Sequence, residues 1–470
     1  MPGSILPQDL KEFIEQLKRD IGGAFEPDQT IHIARAPARL DVMGGIADYS
    51  GSVVLEGVLR QATLVGVQKR RDRTVRVISP GIEREGSNPI AEFSLGILDK
   101  PASYEALRAA WRADPAKSWA AYVFGAFAVL CREGYLDRFP AGATIVIKSS
   151  IPVGSGVSSS AALEVASMQA LCAAFGIRLP AIELARSCQI VENHLVGAPC
   201  GIMDQVTSAM GGEGKLLALL CQPHEVEGLI AIPPAIQFIG INSAVKHSVG
   251  GSAYTGTRVA AFMGRKIIFE TAGGPRAHGH YLCNVTPRQW DTRYRAAIPE
   301  RIKGSEFLDR HGSHDDTATV IEGDREYRPR SCTEHPILEN SRTREFIKRI
   351  EQYAVHGEER DLVRAGELMY ASHRSYSVNC GLGSPETDLI VDLVRQRGPA
   401  SGLYGAKITG GGSGGTVAVL AASGTEDVIR EIAALYQEEM KRTPDLFFGS
   451  SPGALELGVT EFVLSEQHGQ

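Results

Sequence analysis

Two glycines and three consecutive serines lead directly into a helical pattern at residues 152–162. The small residues of this run are Gly154, Gly156, Ser158, Ser159 and Ser160. Glycine lets the backbone approach a ligand closely, and the first N–H groups of a helix have no partner within it. Because the helix dipole also favours negative charge there, the run predicts a phosphate-binding loop.

This loop matches neither of two common nucleotide-binding motifs. No lysine follows the serines as in a Walker A motif, and the third glycine of a dinucleotide fingerprint is missing. A glycine–serine connector is the alternative interpretation. The triple serine and the immediate start of a helix favour phosphate binding.

Two carboxylates lie in the segment at residues 191–205. Glu192 is at the end of a predicted helix, and Asp204 follows a turn that contains glycine and proline. Solvated surface acids are the alternative interpretation for both. Asp204, however, follows Ile202 and Met203, and a carboxylate in apolar surroundings needs a cation. Asp204 is therefore a candidate catalytic group.

Residues 36–51 supply such a cation in Arg39, with Asp41 and Asp48 close behind it. We expect the end of a strand and then a loop that carries all three, and a hairpin loop with solvated charges is the alternative. Residues 407–417 form a third glycine-rich run, between strand-like flanks. A flexible linker is the alternative there, but the abrupt break between strands favours a backbone that passes close to a ligand.

The elements that must position these segments are a mixture of strands and helices. Apolar, β-branched runs predict strands at Thr63–Gln68, Thr144–Ile147, Leu216–Leu219, Ile236–Ile241 and Thr416–Leu420. Helical periodicity follows Ser160 and recurs at Ile182–Val196, Thr343–Tyr353, Leu362–Tyr370 and Glu426–Glu438. Prolines between Cys221 and Ile236 predict a domain junction. Residues 273–339 have weak periodicity, and we expect an insertion there.

Composition limits the classes of function. The 470 residues are 43% apolar, enough for about two or three domains, and carry a formal charge of −6. No basic stripe suggests a nucleic acid or an anionic membrane as partner. The first twelve residues lack a signal-peptide pattern, and the eight cysteines form no Cys-x-x-Cys pair. We therefore expect a cytoplasmic protein with reduced thiols.

Together, in this order, the four segments resemble the galactokinase branch of the superfamily of galactokinase, homoserine kinase, mevalonate kinase and phosphomevalonate kinase. The resemblance extends from about Ile31 to about Gly453 and is most specific at Pro-Cys-Gly-Ile-Met-Asp-Gln, residues 199–205. The runs at residues 44–51 and 407–417 are most similar to the kinase portion of L-arabinokinase. The resemblance implies ATP- and Mg²⁺-dependent phosphorylation of the anomeric hydroxyl of a monosaccharide, giving L-arabinose 1-phosphate from L-arabinose.

The implied fold is α+β, with two domains, mixed sheets and helices, and the active site in the cleft between the domains. Residues 1–29 would be an N-terminal extension, and residues 30–225 the N-terminal kinase domain with the phosphate loop. Residues 226–470 would be the C-terminal kinase domain, with an extended region at about 273–339. Sugar and ATP are the implied partners, without nucleic acid or membrane.

The resemblance also implies roles for single residues. Asp204 corresponds to the catalytic carboxylate near the anomeric hydroxyl, and Arg39 to the arginine that pairs with it. Ser160 and Glu192 correspond to magnesium ligands. The positions of the phosphate-binding loop are Gly154, Gly156, Ser158, Ser159 and Ser160. The positions that contact the sugar are Asp48, Gly201 and Tyr254. Trp119 corresponds to a residue near the adenine, and a core tryptophan is the alternative.

Gly45 and Ile46 depart from the pattern of galactokinases, which carry a Glu-His pair at these positions. In that family the pair contacts the 6-hydroxyl of galactose, and L-arabinose in its pyranose form lacks the hydroxymethyl group. We expect Ile46 to fill the vacated space and to leave a 6-hydroxyl without a partner, which costs about 1–3 kcal/mol. A galactokinase, a kinase for another galacto-configured sugar, and a non-catalytic sugar sensor are the alternatives.

Overall fold

The computed structural model describes residues 6–19, 22–82, 88–100, 102–245, 252–274 and 276–464. The strands are β1 (Thr30–Met43), β2 (Val53–Lys69), β3 (Thr74–Ile78), β4 (Ile90–Ser94), β5 (Ala143–Ser149), β6 (Lys215–Leu220), β7 (Glu225–Ala231), β8 (Ile236–Asn242), β9 (Ile302–Lys303), β10 (Glu326–Tyr327), β11 (Leu403–Ile408), β12 (Thr416–Ala422), β13 (Asp445–Phe447) and β14 (Val459–Val463). The helices are α1 (Gln8–Arg19), α2 (Tyr104–Arg112), α3 (Ala121–Arg132), α4 (Ser159–Phe175), α5 (Ala181–Ile190), α6 (Met203–Met210), α7 (Ser252–Thr271), α8 (Pro287–Gln289), α9 (Gly304–His311), α10 (Pro329–His356), α11 (Glu359–Ser375), α12 (Pro385–Arg397), α13 (Glu426–Met440) and α14 (Ala454–Leu457).

The larger sheet has eight strands, with β14, β1, β2, β5, β3 and β4 side by side and β6 and β7 extending from β2. Successive side chains of a strand point to opposite faces. Leu64 of β2 shares a buried cluster with Phe13 of α1 on one face. Its neighbour Val65 shares another cluster with Phe124 of α3 and Val165 of α4. Because both faces are covered, β1 and β2 are buried along almost their whole length, including their charged residues.

The smaller sheet has four antiparallel strands in the order β11, β12, β8, β13. One face packs on α12 and α13, where Val417 lies in a cluster with Ile432. The opposite face packs on α10 and α11, where Leu420 lies in a cluster with Phe346. Leu40 of β1 belongs to that same cluster. Helices α10 and α11 therefore join the two sheets into one core.

The chain passes from the larger sheet to the smaller one between Ala231 and Ile236. Strand β7 pairs with β6, so the larger sheet continues beyond residue 225, where the sequence puts the end of the N-terminal domain. The last strand, β14, returns to the larger sheet and pairs with β1. Within the predicted N-terminal extension, α1 packs on the larger sheet through Leu10, Phe13 and Leu17. The division into domains near residue 226 stays a prediction.

The described part of residues 273–339, with its weak periodicity, packs against α7. Trp290, Tyr294 and Phe307 lie in a buried cluster with Val259 and Met263 of α7. The elements of this region are short, and α8, β9 and β10 have only two or three residues each. Elements of that length do not produce a helical or strand period in a sequence window.

Two further features bear on the predictions from composition. Among the described residues, no helix combines the length and the apolar character that crossing a membrane requires. All eight cysteines are free, and seven of them are buried.

Candidate active site

The phosphate loop and the glycine-rich hairpin between β11 and β12 meet at one cleft. Gly154 and Gly156 both have a φ of +76°, and α4 begins directly after the loop. The Thr416 hydroxyl donates a hydrogen bond of 2.7 Å to the Ser155 carbonyl, which joins the two segments. Gly410 lines the cleft opposite the loop. Both glycine-rich runs are therefore parts of a pocket wall, and the connector and linker interpretations are wrong.

Arg39 and Asp204 form the ion pair at the base of this cleft. Arg39 Nε donates to Asp204 Oδ1 at 2.9 Å, and Nη2 donates to Oδ2 at 3.1 Å, while Nη1 donates to the Gly156 carbonyl at 2.8 Å. The Ser158 hydroxyl also hydrogen-bonds to Asp204. Two parallel bonds fix the plane of the carboxylate, so Asp204 presents a defined edge to the cleft.

The expectation that Arg39 and Asp41 lie on a loop is wrong. Both residues belong to β1, and Arg39 is only 3% exposed. A register shift between Pro37 and Arg39 interrupts the ladder with β2 at this point. Asp48 does lie beyond the strand, in a single 3₁₀ turn, and it is buried too. Solvated charges are therefore excluded for all three.

A second layer of charge lies beneath Arg39, which sequence reasoning missed. Lys407 Nζ donates to Asp41 Oδ2 at 2.9 Å, and neither side chain is exposed. Glu56 of β2 lies 3.4 Å from Arg39 Nε, fully buried, and neither of its carboxyl oxygens has a hydrogen-bond partner. Burial, and next the carboxylate of Asp41, raise the pKa of Glu56 well above its usual range. Tyr376 completes this layer with a hydrogen bond of 3.0 Å to the Gly410 carbonyl.

Asp48, Gly201 and Tyr254 lie together at one end of the cleft, as predicted. The α-carbon of Gly201 faces the Asp48 carboxylate so closely that a β-carbon there would overlap it. Burial raises the pKa of Asp48 to about 6, although the Tyr49 N–H donates to it and lowers the pKa. Tyr254 packs edge-on against Tyr49, with ring centroids 6.3 Å apart. This end of the cleft offers hydrogen-bonding groups for a small hydroxylated molecule.

Ile46 and Gly45 have different positions relative to the cleft. The Ile46 side chain lines it and is only 2% exposed. Gly45 does not line the cleft. A β-carbon at Gly45 would point towards Asp41 Oδ2 and Tyr376 Oη and would overlap both atoms. The prediction that both residues form the sugar pocket is therefore corrected for Gly45, whose identity is imposed by packing.

Glu192 and Ser160 line the same cleft, at the start of α4. The predicted helix at Ile182–Val196 is α5 followed by a π turn, Val191–Val196, which carries Glu192. Burial, and next the charge of Asp204, raise the pKa of Glu192 to about 7. Gln205 Nε2 bridges Glu192, at 2.7 Å, and Glu164, at 3.1 Å.

This donor set fits a magnesium ion that is shared with a nucleotide. Glu192 and Ser160 line the cleft, and Glu164, which does not line it, has a buried Oε1 without a partner. Mg²⁺ usually takes one or two carboxylates from the protein and completes its six oxygens with phosphates and water. Among the described residues, no three acidic, histidine or cysteine side chains group as a metal site. The roles of Ser160 and Glu192 as ligands stay predictions.

The cleft continues into a second cavity on the other side of the serines. The cleft itself has a volume of about 300 Å³, and the adjoining cavity about 720 Å³. Ser159, Ser160 and Tyr122 line both, and Trp119 lines only the second. Such volumes suit small organic ligands. The structure brings Trp119 next to the phosphate loop, and its contact with an adenine stays a prediction.

Two family models match the chain: "GHMP kinases N terminal domain" at residues 121–212, and "GHMP kinases C terminal" at residues 350–438. A galactokinase of Chloroflexus aggregans is 30% identical, over 87% of this chain and 89% of its own. The chain belongs to the GHMP kinase family. An L-arabinokinase of Arabidopsis thaliana is 41% identical over 94% of this GHMP kinase, which spans only 48% of that relative's length.

Solved structures agree on the fold. The galactokinase of Lactococcus lactis, in complex with galactose, superimposes with a TM-score of 0.74 over 95% of this GHMP kinase and 99% of its own chain, at 22% identity. The mevalonate kinase of L. major, in complex with R-mevalonate, gives a TM-score of 0.53 at 15% identity, over 91% and 99% of the two chains. The predicted two-part α+β fold of the galactokinase type is confirmed.

Proposed function

We propose that this GHMP kinase is an ATP- and Mg²⁺-dependent sugar-1-kinase that converts L-arabinose and ATP into L-arabinose 1-phosphate and ADP. The observation that carries the proposal is the Asp204 carboxylate, fixed by two bonds from Arg39 between the phosphate loop and the pocket of Asp48 and Tyr254. A group in that position touches both an acceptor hydroxyl and a transferred phosphoryl group. The eight free thiols support a reducing compartment, and we assign the reaction to the cytoplasm.

Asp204 accepts the proton of the anomeric hydroxyl while the sugar oxygen attacks the γ-phosphorus of ATP, and ADP leaves on the opposite side. The base is oriented by Arg39, whose guanidinium also lies close to the developing negative charge. General-base catalysis of this kind contributes about 10²–10⁴-fold to the rate. The rest of the acceleration comes from holding the two substrates in line.

The phosphates of ATP bind over residues 154–160, at the start of α4, where the first N–H groups of a helix have no partner within it. Ser160 and Glu192 would hold Mg²⁺, which would supply positive charge to the phosphates. The adenine lies in the adjoining cavity beside Trp119. The sugar lies at the other end, against Asp48, the Gly201 backbone and Tyr254.

Two observations support L-arabinose over galactose as the acceptor. The L-arabinokinase relative is more similar to this chain than the galactokinases are, at 41% against 30% identity. Ile46 also puts an apolar side chain at the wall of the cleft. A 6-hydroxyl against that wall lacks a partner, which disfavours galactose by about 5- to 150-fold. The alternative is galactokinase activity, which the galactokinase relatives support.

The deciding experiment measures ADP release with MgATP and a panel of free sugars: L-arabinose, D-galactose, L-fucose, D-xylose and D-glucose. NMR of the product locates the phosphate. Asp204→Asn, purified in parallel, is the control for a contaminating kinase, and its turnover should fall at least 100-fold, the lower limit for a general base. Its KM for ATP should stay close to that of the wild type.

We expect the highest kcat/KM with L-arabinose and the phosphate on C1. A preference for galactose would retain the mechanism and reject the assigned sugar. ATP binding without turnover of any sugar would reject the enzyme and favour a sensor. Wild-type turnover in Asp204→Asn would reject the catalytic role of that carboxylate.

A further inference from the structure

Two side chains of helix α10 contact the backbone of the connection between β1 and β2, and this connection carries Ile46 and Asp48. Glu339 Oε1 accepts a hydrogen bond of 3.3 Å from the Gly44 N–H. His335 Nε2 lies 3.2 Å from the Gly45 carbonyl oxygen. These two side chains are four residues apart, so they lie on one face of the helix. Both are fully buried.

The side chains of His335 and Glu339 are themselves hydrogen-bonded by Ser375 and Ser372 of α11 and by Arg342 of α10. The Ser375 hydroxyl lies 2.8 Å from His335 Nδ1 and can donate to it, which leaves the His335 Nε2–H to donate to the carbonyl. Ser372 donates to Glu339 Oε1 at 2.5 Å, and Arg342 donates to Oε2 at 2.7 Å. Burial lowers the pKa of His335 to about 4, so the ring is neutral. Burial raises the pKa of Glu339, but Arg342 and other cations lower it to about 2, so the carboxylate stays charged.

Ile46 has a backbone conformation that a free chain would avoid. Its φ is +61°, and a β-branched residue in the left-handed region is strained. Such a conformation persists only where the surrounding structure imposes it. Here the groups on its N-terminal side are held by α10, and its side chain packs in a buried cluster with Tyr254 and Tyr376. With this backbone conformation, the Ile46 side chain lines the cleft.

We propose that His335 and Glu339 are positioning residues for sugar selectivity. They hold the Gly44–Gly45 backbone so that Ile46 keeps its left-handed backbone conformation. In that conformation the Ile46 side chain forms the wall of the sugar pocket and excludes an acceptor with a hydroxymethyl group. Neither residue lines the cleft. The proposal rests on the proposed function, since it explains how one sugar is chosen by the same site.

The test compares kcat/KM for L-arabinose and for D-galactose in the wild type and in His335→Leu, which removes the donor to Gly45. The ratio of the two values should fall about tenfold, within the range for reshaping an apolar pocket wall. The KM for ATP should not change. His335→Gln retains an N–H donor, and it should restore most of the ratio.

A second variant keeps the test informative if His335→Leu does not fold. Ile46→Gly removes both the strain and the wall, and it should lower the same ratio about tenfold. In the double variant the two changes should be non-additive, because both act through one side chain. Asp361→Asn is the control: it weakens the 3.0 Å bond from Arg349 at the other end of the α10–α11 pair. It should lower the melting temperature and leave the ratio unchanged.

An unchanged ratio in both His335→Leu and Ile46→Gly, with an active wild-type enzyme, would overturn the proposal. A fall that His335→Gln does not reverse, and that Asp361→Asn reproduces, would indicate a general loss of stability and would also overturn it. Absence of turnover in the wild type with either sugar would instead be a failure of the proposed function.

Discussion

Arg39 lies between two carboxyl groups, but only one of them is hydrogen-bonded to its guanidinium. Asp204 makes two hydrogen bonds to the guanidinium, whereas Glu56, at 3.4 Å, makes none. Burial, and next the nearby Asp41 carboxylate, raise the pKa of Glu56 well above its usual range and disfavour its charged form. Lys407 is paired with Asp41. Arg39 therefore makes its carboxylate hydrogen bonds to Asp204, and Lys407 makes its own to Asp41.

Asp48 should make the free energy of unfolding fall as pH rises, whereas an acid that is paired with a cation makes it rise. Its pKa is about 6 in the folded chain, because of burial, and about 4 in an unfolded one. Between these values the folded state binds more protons, so stability falls as pH rises from about 4 to about 6 and stays lower above it. Asp48→Asn removes this loss. At pH 7.5 we expect up to about 3 kcal/mol more stability than in the wild type, and no gain near pH 4.

Urea unfolding of both proteins between about pH 4 and pH 8 measures this difference, because other titrating groups are common to the two chains. A stability difference that does not vary with pH would contradict the prediction. Asp48→Asn should at the same time raise the KM for the sugar, since the amide replaces a carboxylate acceptor. The buried acid therefore lowers stability, and in the proposed function it supplies a strong hydrogen-bond acceptor to the sugar.

At this scale the sequence indicated both residues of the Arg39–Asp204 pair but not the charged residues beneath them. Asp204 and Arg39 could be singled out because their local runs are distinctive. Glu56 and Lys407 could not, since Lys407 meets Asp41 across 366 positions of the chain. Glu56 carries no signal in its own strand, where it stands between Leu55 and Gly57 as one charged residue among apolar ones. Contacts between distant segments require the fold.

The phosphate loop is an element whose start and conformation follow from its residue types. Small residues precede an apolar helical run, and α4 begins at Ser159, as the pattern predicts. Strand β1 was harder to predict, because Pro37 is typical of the end of a strand. In the structure the strand continues past Pro37 with a shift in its register to β2. The positive φ of Ile46 was not predictable, since nothing in its neighbours favours a left-handed isoleucine.

Gly156→Ala tests whether the loop needs glycine for its backbone and for its ligand. The φ of Gly156 is +76°, and an added β-carbon would lie 3.5 Å from the Gly415 α-carbon, which is ordinary contact. The left-handed conformation should cost about 1–2 kcal/mol of stability. Gly156 lines the cleft, so a change in the loop backbone there should raise the KM for ATP about tenfold, the equivalent of about 1.4 kcal/mol.

Gly214→Ala is the matched control for this element. Gly214 has a φ of +64° and open space around its α-carbon, and it does not line the cleft. It should show a similar loss of stability in thermal or urea unfolding and an unchanged KM for ATP. Equal KM values for the two variants and the wild type would show that the loop backbone does not approach the nucleotide.

In the whole molecule, the two sheets are linked through an apolar cluster and through polar contacts near the cleft. The cluster around Leu40, Phe346 and Leu420 joins them through α10 and α11. The hairpin between β11 and β12 then reaches across and contacts the phosphate loop through Thr416. The sequence indicated both glycine-rich runs, but their meeting depends on the order of strands in two sheets. That order is not encoded in any local pattern, and neither is the return of β14 to β1.

Thr416→Val tests whether the contact between the two halves supports nucleotide binding. Its hydroxyl donates to the Ser155 carbonyl at 2.7 Å, and the residue is fully buried, so loss of the bond should cost about 1–3 kcal/mol. Because the phosphate loop loses its tie to the hairpin, the KM for ATP should rise about tenfold while kcat changes little. Tyr436→Phe is the control, since it removes a buried bond of 2.6 Å to the Ser243 carbonyl within the C-terminal half alone. It should lower stability in denaturant unfolding by a similar amount and leave the KM for ATP unchanged. If both variants raise that KM equally, nucleotide affinity follows overall stability and not the junction between the halves.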